Sequence, residues 1–152
     1  MQKVTPFLMF NNRLDEALKF YVNLIPNSKI IENQKSEDGS LRAATFEIDG
    51  QKFQAFNGGD YFQFSEAFSL SISCDDQSEV DHYWEKFLEA GGTESMCGWL
   101  KDPFGLSWQI VPKRFVELIG DPNPKKAKAV SEAMMSMKKL DIRKLEEAYN
   151  NG

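Results

Sequence analysis

The sequence predicts an α+β fold in which a βαβββ unit occurs twice in tandem and a helical extension follows it. Three observations lead to this prediction. The N-terminal half reads as strand, helix and three strands; the same order restarts near residue 66; and the pattern after Pro112 is helical throughout. We therefore expect a duplicated domain over 1–112, with module 1 at about 1–57 and module 2 at about 66–112, and a C-terminal helical extension over 113–152.

Module 1 begins with an apolar strand, VTPFLMF, which is followed by a helix, RLDEALKFYVNLI. The helix is predicted because apolar residues recur at the spacing of one helical face, and Asn12 is its expected N-cap. The segments IIENQK, LRAATFEI and KFQAF are predicted strands, because the turn-forming residues EDGS and DGQ separate them. The apolar face of the helix consists of Leu14, Ala17, Leu18, Tyr21 and Leu24 or Ile25.

Module 2 repeats this order, and the extension follows directly. FSLSISC is a predicted strand, SEVDHYWEKFLEAGG a predicted helix, and TESMCGWL and GLSWQIVP supply further strands. In the extension, Asn123 is the expected N-cap of a helix that starts at Pro124, and Asp141 is the expected cap of the last helix. The residues expected to be buried there are Val130, Met134, Met137, Leu145 and Tyr149.

Charge and cysteine content exclude several classes of protein. The 152 residues carry a formal net charge of −5 without a long basic run, which argues against nucleic-acid binding. The apolar stretch near the N-terminus is too short for a signal sequence or a membrane span, so we expect a cytoplasmic protein with no membrane partner. Cys74 and Cys97 form neither a disulfide framework nor a zinc-binding pair, and we expect both to be reduced thiols.

Two glutamines stand out in otherwise apolar strands. Gln54 follows Phe53 in GQKFQAF, and Gln109 follows Trp108 in DPFGLSWQIVP. An ungapped alignment of residues 50–56 with residues 105–111 superimposes the two pairs, and a second places 8–21 over 71–84. Leaving an amide buried without a partner costs about 1–3 kcal/mol. Successive side chains in a strand point to opposite faces, so each glutamine is expected to face away from its aromatic neighbour.

The quoted strands and helices, together with FNGGDYFQFSEAFSLSISCDDQSEVDHYW and WLKDPFGLSWQIVP, resemble the PhnB-like family. This family is often labelled a 3-demethylubiquinone-9 3-methyltransferase domain, and it is part of the vicinal-oxygen-chelate superfamily of glyoxalase, bleomycin-resistance and dioxygenase proteins. The resemblance implies curved sheets with the helices on the convex face and a ligand cavity on the concave face, and it implies a homodimer. It also implies four positions that hold metal ligands in metal-binding relatives: Pro6, Gln54, Ser69 and Gln109, with the first-strand pair uncertain by one residue.

The chemistry at those positions does not suit a divalent metal. Two amides, a hydroxyl and a proline supply neither carboxylate nor imidazole, so we expect no metal and no cofactor. We expect the cavity to bind a small molecule instead. Its polar lining is predicted to be Gln54, Ser69, Ser71, Ser73 and Gln109, and its apolar lining Leu8, Phe10, Phe56 and Val111.

Three functional hypotheses remain at this stage. The first is metal-free binding of a small molecule, with or without catalysis. The second is a divalent-metal-dependent lyase, isomerase or dioxygenase. The third is the methyltransferase of the family label; the glycine-containing segment FNGGD lacks the strand–GxGxxG–helix context in which such loops hold a nucleoside cofactor.

Overall fold

Each half of the duplicated region folds as a four-stranded mixed sheet with a helix on one face. The computed structural model describes residues 2–152, and it divides the chain into two compact units, one ending at Gln63 and one spanning Phe64–Gly152. The first unit contains β1 (Phe7–Phe10), α1 (Leu14–Leu24), β2 (Lys29–Lys35), β3 (Leu41–Ile48) and β4 (Gln51–Asn57), in the sheet order β1-β4-β3-β2.

The second unit repeats this topology and also contains the helical extension. Its sheet has the order β5-β8-β7-β6, with the first pair parallel and the others antiparallel, as in the first unit. The α+β fold with two βαβββ modules and C-terminal helices is therefore confirmed. The elements are β5 (Ser69–Cys74), α2 (Gln77–Glu89), β6 (Thr93–Glu94), β7 (Trp99–Lys101), β8 (Ser107–Pro112), α3 (Lys113–Ile119), α4 (Pro124–Met135) and α5 (Ile142–Asn151).

Burial of one face of each sheet shows which side chains of the inner strands point to the helix. In module 1 the face packed against α1, here called the helix face, includes Phe46 and Phe53, whose rings stack with centroids 5.6 Å apart. In module 2 the helix face includes Trp108, whose ring centroid lies 5.1 Å from that of Phe87 on α2. The opposite face of each sheet, here called the open face, carries the alternate residues of every strand. Phe53 and Trp108 thus point to the helices, as the alternation predicted.

The buried carboxylate of Asp102 organises the turn between β7 and β8. Asp102 is 4 % exposed, and its Oδ1 accepts hydrogen bonds from the backbone N–H of Phe104 at 2.9 Å and of Leu106 at 3.0 Å. Its Oδ2 accepts a hydrogen bond of 3.0 Å from the indole Nε1–H of Trp108. Gly105 has φ +93°, a conformation that favours glycine. The DPFGLSW sequence is therefore a hydrogen-bonded unit that fixes the ring of Trp108.

The two modules differ by one residue between the first strand and the helix. Phe7 pairs with Gln54 in module 1, whereas Ser71 pairs with Gln109 in module 2, so Phe7 and not Leu8 corresponds to Ser71. The extra residue lies in the loop between β1 and α1, where Asn12 adopts φ +61°. The ungapped alignment of 8–21 with 71–84 is therefore correct for the helices and wrong by one residue for the strands.

The start of α1 is capped from the sheet. The expected N-cap, Asn12, is wrong: the side-chain Oδ1 of Asn57, at the end of β4, accepts the hydrogen bond of the Leu14 N–H at 3.0 Å. The Nδ2 of Asn57 donates to the Leu41 carbonyl at 2.9 Å, which connects the helix to two strands. The two expected caps of the extension are confirmed, since Asn123 accepts from Lys125 N at 3.0 Å and Asp141 from Lys144 N at 3.3 Å.

The extension forms a small core of its own, as the helical stripe predicted. The residues at its centre are at most 2 % exposed: Leu118, Val130, Leu140 and Leu145. The partly buried side chains packed around them are Phe115, Ala133, Met134, Met137 and Tyr149.

Three sets of contacts attach this core to module 2. Gln77, at the start of α2, accepts from Ile142 N at 2.8 Å and donates to the Leu140 carbonyl at 3.0 Å. The backbone N–H groups of residues 97 and 98 each donate at 2.7 Å to the carbonyls of residues 137 and 138. Gly98 lies so close to Leu140 that an added Cβ would be 3.0 Å from the leucine Cγ. Among residues 2–152, no helix combines the length and apolar character needed to cross a membrane.

Deletion of the extension after Pro112 is expected to give an unstable or aggregating protein. It leaves the N–H groups of residues 97 and 98 without their carbonyl partners and removes Leu140 from its contact with Gly98. Thermal melts and light scattering check this.

A milder variant, Gln77→Ala, is expected to lower the unfolding free energy by about 1–3 kcal/mol, because it removes the two hydrogen bonds to the extension. The control Gln63→Ala, at an exposed position outside the helices and strands, should leave the unfolding free energy unchanged. A soluble truncated protein with an unchanged melting temperature would contradict the prediction.

The two faces of β8 predict opposite effects of substitution. Trp108→Ala is expected to destabilise the fold by about 3–5 kcal/mol, because it leaves a cavity beside α2 and removes a donor from Asp102. Gln109→Leu is expected to be nearly neutral, since the Nε2 of Gln109 donates a single hydrogen bond, to Ser69 Oγ at 3.0 Å, near solvent. Denaturant melts measure both variants. Equal damage from the two substitutions would make Gln109 a structural residue and not a ligand-facing one.

Candidate functional site

Gln54 lies on the open face of module 1 among aromatic and thioether side chains. It pairs with Phe7 on β1 and with Thr45 on β3, and its side chain is exposed. Phe7 meets Phe56 edge to face, with ring centroids 5.5 Å apart. A Cβ added at Gly58 would lie 2.6 Å from the sulfur of Met9, so the lack of a side chain allows the backbone to pass close to Met9 and Phe56. The open face of module 1 therefore offers apolar surface around one amide.

Gln109 occupies the equivalent position in module 2, and its surroundings are hydroxyl groups and an indole. It pairs with Ser71 on β5 and with Trp99 on β7, so the three side chains form one row across the open face. Its Nε2–H donates to the hydroxyl of Ser69 at 3.0 Å, which fixes the orientation of the amide. The burial of Leu100 on the helix face sets the alternation that turns Trp99 toward the open face.

Serine hydroxyls occupy most of the remaining open face of module 2. Ser69, Ser71 and Ser73 alternate along β5, and Ser107 lies beside Ser69 on β8. Ser107, which is 1 % exposed, adds a fourth serine to this face. Val111, which pairs with Ser73, adds an apolar side chain at the end of the row. The side chains that β5 and β8 place on this face are uncharged and rich in hydrogen-bonding groups.

The charged groups at the edge of this face neutralise each other. Lys101 pairs with Ser107 in the sheet, and its Nζ lies 2.5 Å from Glu66 Oε1, in the segment that precedes β5. The hydrogen bond from Lys101 lowers the pKa of the Glu66 carboxyl, so the ion pair is present at neutral pH.

Seven of the nine side chains predicted to line the site lie on an open face, and two do not. Leu8 and Phe10 are wrong: they are 4 % and 1 % exposed on the helix face, and the ring of Phe10 lies 6.4 Å from that of Tyr21 on α1. The extra residue in the β1–α1 loop caused this error. The residues that lie on an open face as predicted are Gln54 and Phe56 in module 1 and Ser69, Ser71, Ser73, Gln109 and Val111 in module 2.

Sequence reasoning missed four open-face residues. Phe7 and Met9 alternate with the buried Leu8 and Phe10, but all four positions of FLMF are apolar, so nothing in the segment marks its faces. Ser107 was detectable, because one residue separates it from Gln109, which was already assigned to the open face. Trp99 was identified only by its pairing with Gln109 across the sheet.

The donors at the expected metal positions do not fit a divalent cation. The corrected register places Thr5, two residues before Phe7, where Pro6 was expected to correspond to Ser69. The set is then two amides and two hydroxyls, without the carboxylate, imidazole or thiolate ligands that hold such ions. Across residues 2–152, no group of three or more His, Cys, Asp or Glu side chains is arranged to hold a metal. The single histidine, His82, lies on α2 with its ring 5.2 Å from that of Tyr83.

The residues do not fit a nucleoside cofactor held on a glycine-rich loop. Gly58 and Gly59 follow β4 and precede an irregular segment, whereas phosphate- and nucleoside-binding loops join a strand directly to a helix N-terminus. Both sheets are mixed and each carries one crossover helix, so neither has the doubly wound parallel arrangement of such sites.

The two cysteines are free thiols, as expected. Burial raises the pKa of the Cys74 thiol to about 12, so it is inert packing beneath α2. Cys97 is partly exposed and adopts the left-handed backbone conformation, with φ +62°. Its N–H donates to the Met137 carbonyl, where the extension joins the sheet.

Polar clefts also lie away from the open faces. In module 1 the start of α1 and the β2–β3 turn border a cleft that includes Asn12, Asp15, Lys35 and Arg42, all exposed side chains. In the second unit, a cleft lies between the capped N-termini of α2 and α5. Neither contains a buried polar group without a partner, and we assign no ligand to them.

Comparison with known proteins identifies the family. Residues 2–111 match the family described as 3-demethylubiquinone-9 3-methyltransferase. A solved structure described as a putative 3-demethylubiquinone-9 3-methyltransferase, PhnB protein, from Bacillus cereus is 31 % identical, covers 73 % of this chain and 99 % of its own, and superimposes with a TM-score of 0.67. No curated protein matches the chain.

More distant structures share the fold alone. Protein PA1353 from Pseudomonas aeruginosa is 17 % identical over 74 % of this chain and 98 % of its own, with a TM-score of 0.60. The fosfomycin resistance protein FosX from Listeria monocytogenes is 17 % identical over 76 % of this chain and 94 % of its own, with a TM-score of 0.56. The match over residues 2–111 and the 31 % identity with the Bacillus protein show that this chain belongs to the PhnB-like family, labelled 3-demethylubiquinone-9 3-methyltransferase, of the vicinal-oxygen-chelate superfamily.

Proposed function

We propose that the protein binds a small molecule on its open faces without a metal ion, and that Gln54 and Gln109 provide the central polar contacts. The observation that carries this proposal is the equivalence of the two amides. Each follows the large aromatic residue of its helix face, each pairs with the first strand of its module, and each is directed away from the core. The fold does not need a polar group at either position.

The neighbourhood of each amide supports binding by hydrogen bonds and apolar contact. Phe7, Met9 and Phe56 give module 1 an apolar surface around Gln54. Serine hydroxyls and Trp99 give module 2 donors, acceptors and a ring around Gln109. Small-molecule sites combine apolar area with a few placed polar groups in this way.

The family label and the distant FosX relatives suggest other chemistry, which the donor set does not favour. One FosX structure is described as a complex with Mn(II), but the positions expected to hold a metal here provide only neutral oxygen donors. The methyltransferase label calls for a methyl donor, and neither sheet has the loop on which such a cofactor rests in the common fold. A homodimer in the cytoplasm, which the family resemblance and the sequence led us to expect, is part of the proposal.

Protein purified without chelators is expected to carry no stoichiometric zinc, nickel, manganese or iron, because amides and hydroxyls bind these ions weakly. Elemental analysis and native mass spectrometry check this. The same native spectrum reports any retained organic ligand and the number of chains in the assembly. About one metal ion per chain that survives dialysis, and is lost on Gln109→Ala, would favour the metal-dependent lyase, isomerase or dioxygenase instead.

S-adenosylmethionine is expected not to bind, because no glycine-rich loop joins a strand to a helix in either sheet. Isothermal titration calorimetry measures this directly, with an established methyltransferase as the positive control. A micromolar dissociation constant would restore the activity in the family label.

A further inference from the structure

We propose that the open face of module 2 selects an uncharged ring that carries an amide-type edge, an N–H beside a C=O. Such ligands include aromatic carboxamides and cyclic amides. This inference rests on the proposed function and names the ligand class of that site.

The first step concerns charge. Lys101 is the cation at the edge of this face, and Glu66 already neutralises it at 2.5 Å. The side chains that alternate onto the face from β5 and β8 are serines, an amide and a valine, and none carries a charge. An anionic ligand has to compete with Glu66 for Lys101, and a cationic ligand meets a carboxylate that is already paired. The face therefore favours a neutral ligand.

The second step concerns the free hydrogen-bonding groups. Gln109 uses one N–H on Ser69. Its carbonyl oxygen and second N–H have no partner in the described part of the chain, so the amide keeps one acceptor and one donor for a ligand. A ligand edge with an N–H next to a C=O matches both. Ser107 lies two residues before Gln109 on the same face of β8, and its hydroxyl is a further donor and acceptor beside the amide.

The third step concerns the ring. Trp99 pairs directly with Gln109 across β7 and β8. Side chains that face each other in this way have Cβ atoms about 5 Å apart. An aromatic ring stacked on the Trp99 indole therefore places a substituent next to the Gln109 amide. Offset stacking adds to the hydrogen bonds and favours a planar ligand over a puckered one.

The test uses benzamide and benzoate, which share the ring and differ in the amide edge and the charge. Both are titrated into ¹⁵N-labelled full-length protein, and shifts are followed at the Trp99 indole N–H and the Gln109 side-chain amide. Benzamide is expected to bind about tenfold more tightly than benzoate. Glucose serves as the third probe, because it offers hydroxyl groups without a planar ring.

Two substitutions locate the source of the preference. Gln109→Leu is expected to abolish the preference for benzamide, and a thermal melt verifies that this variant is folded. Glu66→Gln frees Lys101 and is expected to reduce the benzamide-to-benzoate ratio about threefold. The matched control is Glu89→Gln, which removes the same charge from an exposed ion pair with Lys86 on α2 and should leave the ratio unchanged.

The outcomes separate this inference from the proposed function. If benzoate or glucose binds the same resonances more tightly than benzamide, the ligand class is wrong and the binding function stands. An unchanged ratio in Glu66→Gln also overturns the inference. If neither these probes nor a wider panel of charged and neutral compounds shifts any open-face resonance in either module, the proposed function fails as well.

Discussion

The hydrogen bonds to the buried carboxylate of Asp102 determine the geometry of the open face in module 2. One side chain holds the turn, through the N–H groups of Phe104 and Leu106, and holds the ring of Trp108 through its indole N–H. A buried carboxylate requires this many donors, because its desolvation is otherwise too costly. With Trp108 fixed against α2, the period of two along β8 directs Gln109 and Ser107 to the other face, and the pairing with β5 and β7 then selects Ser71 and Trp99 as their neighbours. The polar surface thus depends on a contact that lies entirely within the core.

The same alternation explains which parts of the fold and site could be predicted. The face assigned to Gln109 and the serines agrees with the strand register, because SLSISC and SWQIV alternate polar with apolar residues and so reveal their faces. That these residues contact a ligand stays a prediction. Sequence reasoning failed at Leu8 and Phe10, because FLMF contains no polar residue and the alignment that assigned its faces assumed loops of equal length. A slip of one residue moves every side chain of a strand to the other face. Asn12, with its left-handed backbone, accommodates the extra residue, and no local pattern in the sequence reveals it.

The extension shows why the two copies of the unit are not interchangeable. In module 1, β2 is seven residues long, and Asn33 and Gln34 lie opposite Ala44 and Ala43 of β3. In module 2, β6 is two residues long, and the carbonyls of residues 137 and 138 lie beside residues 97 and 98, which by register correspond to that alanine pair. The extension therefore occupies the place of a missing stretch of strand. Helical periodicity predicted its core but not this attachment, which is made through backbone groups. Gly98 is the residue type that this attachment requires, because a side chain there would collide with Leu140.

The two open faces differ in the side chains that surround their glutamines, which are apolar in module 1 and mostly polar in module 2. Under the proposed function, apolar contacts such as those of Phe7 and Phe56 add affinity but discriminate weakly between ligands of similar size. Polar groups that remain unpaired when the wrong ligand binds discriminate strongly, and module 2 holds such groups on the Gln109 amide. Under the same proposal, neutral amides stand at two of the positions expected to hold a metal, and no ion contributes to the binding energy at either face. Selectivity then has to come from the match between the hydrogen-bonding groups of the ligand and those of the protein. The ion pair with Glu66 reduces the attraction of Lys101 for anionic ligands, which would otherwise compete with that match.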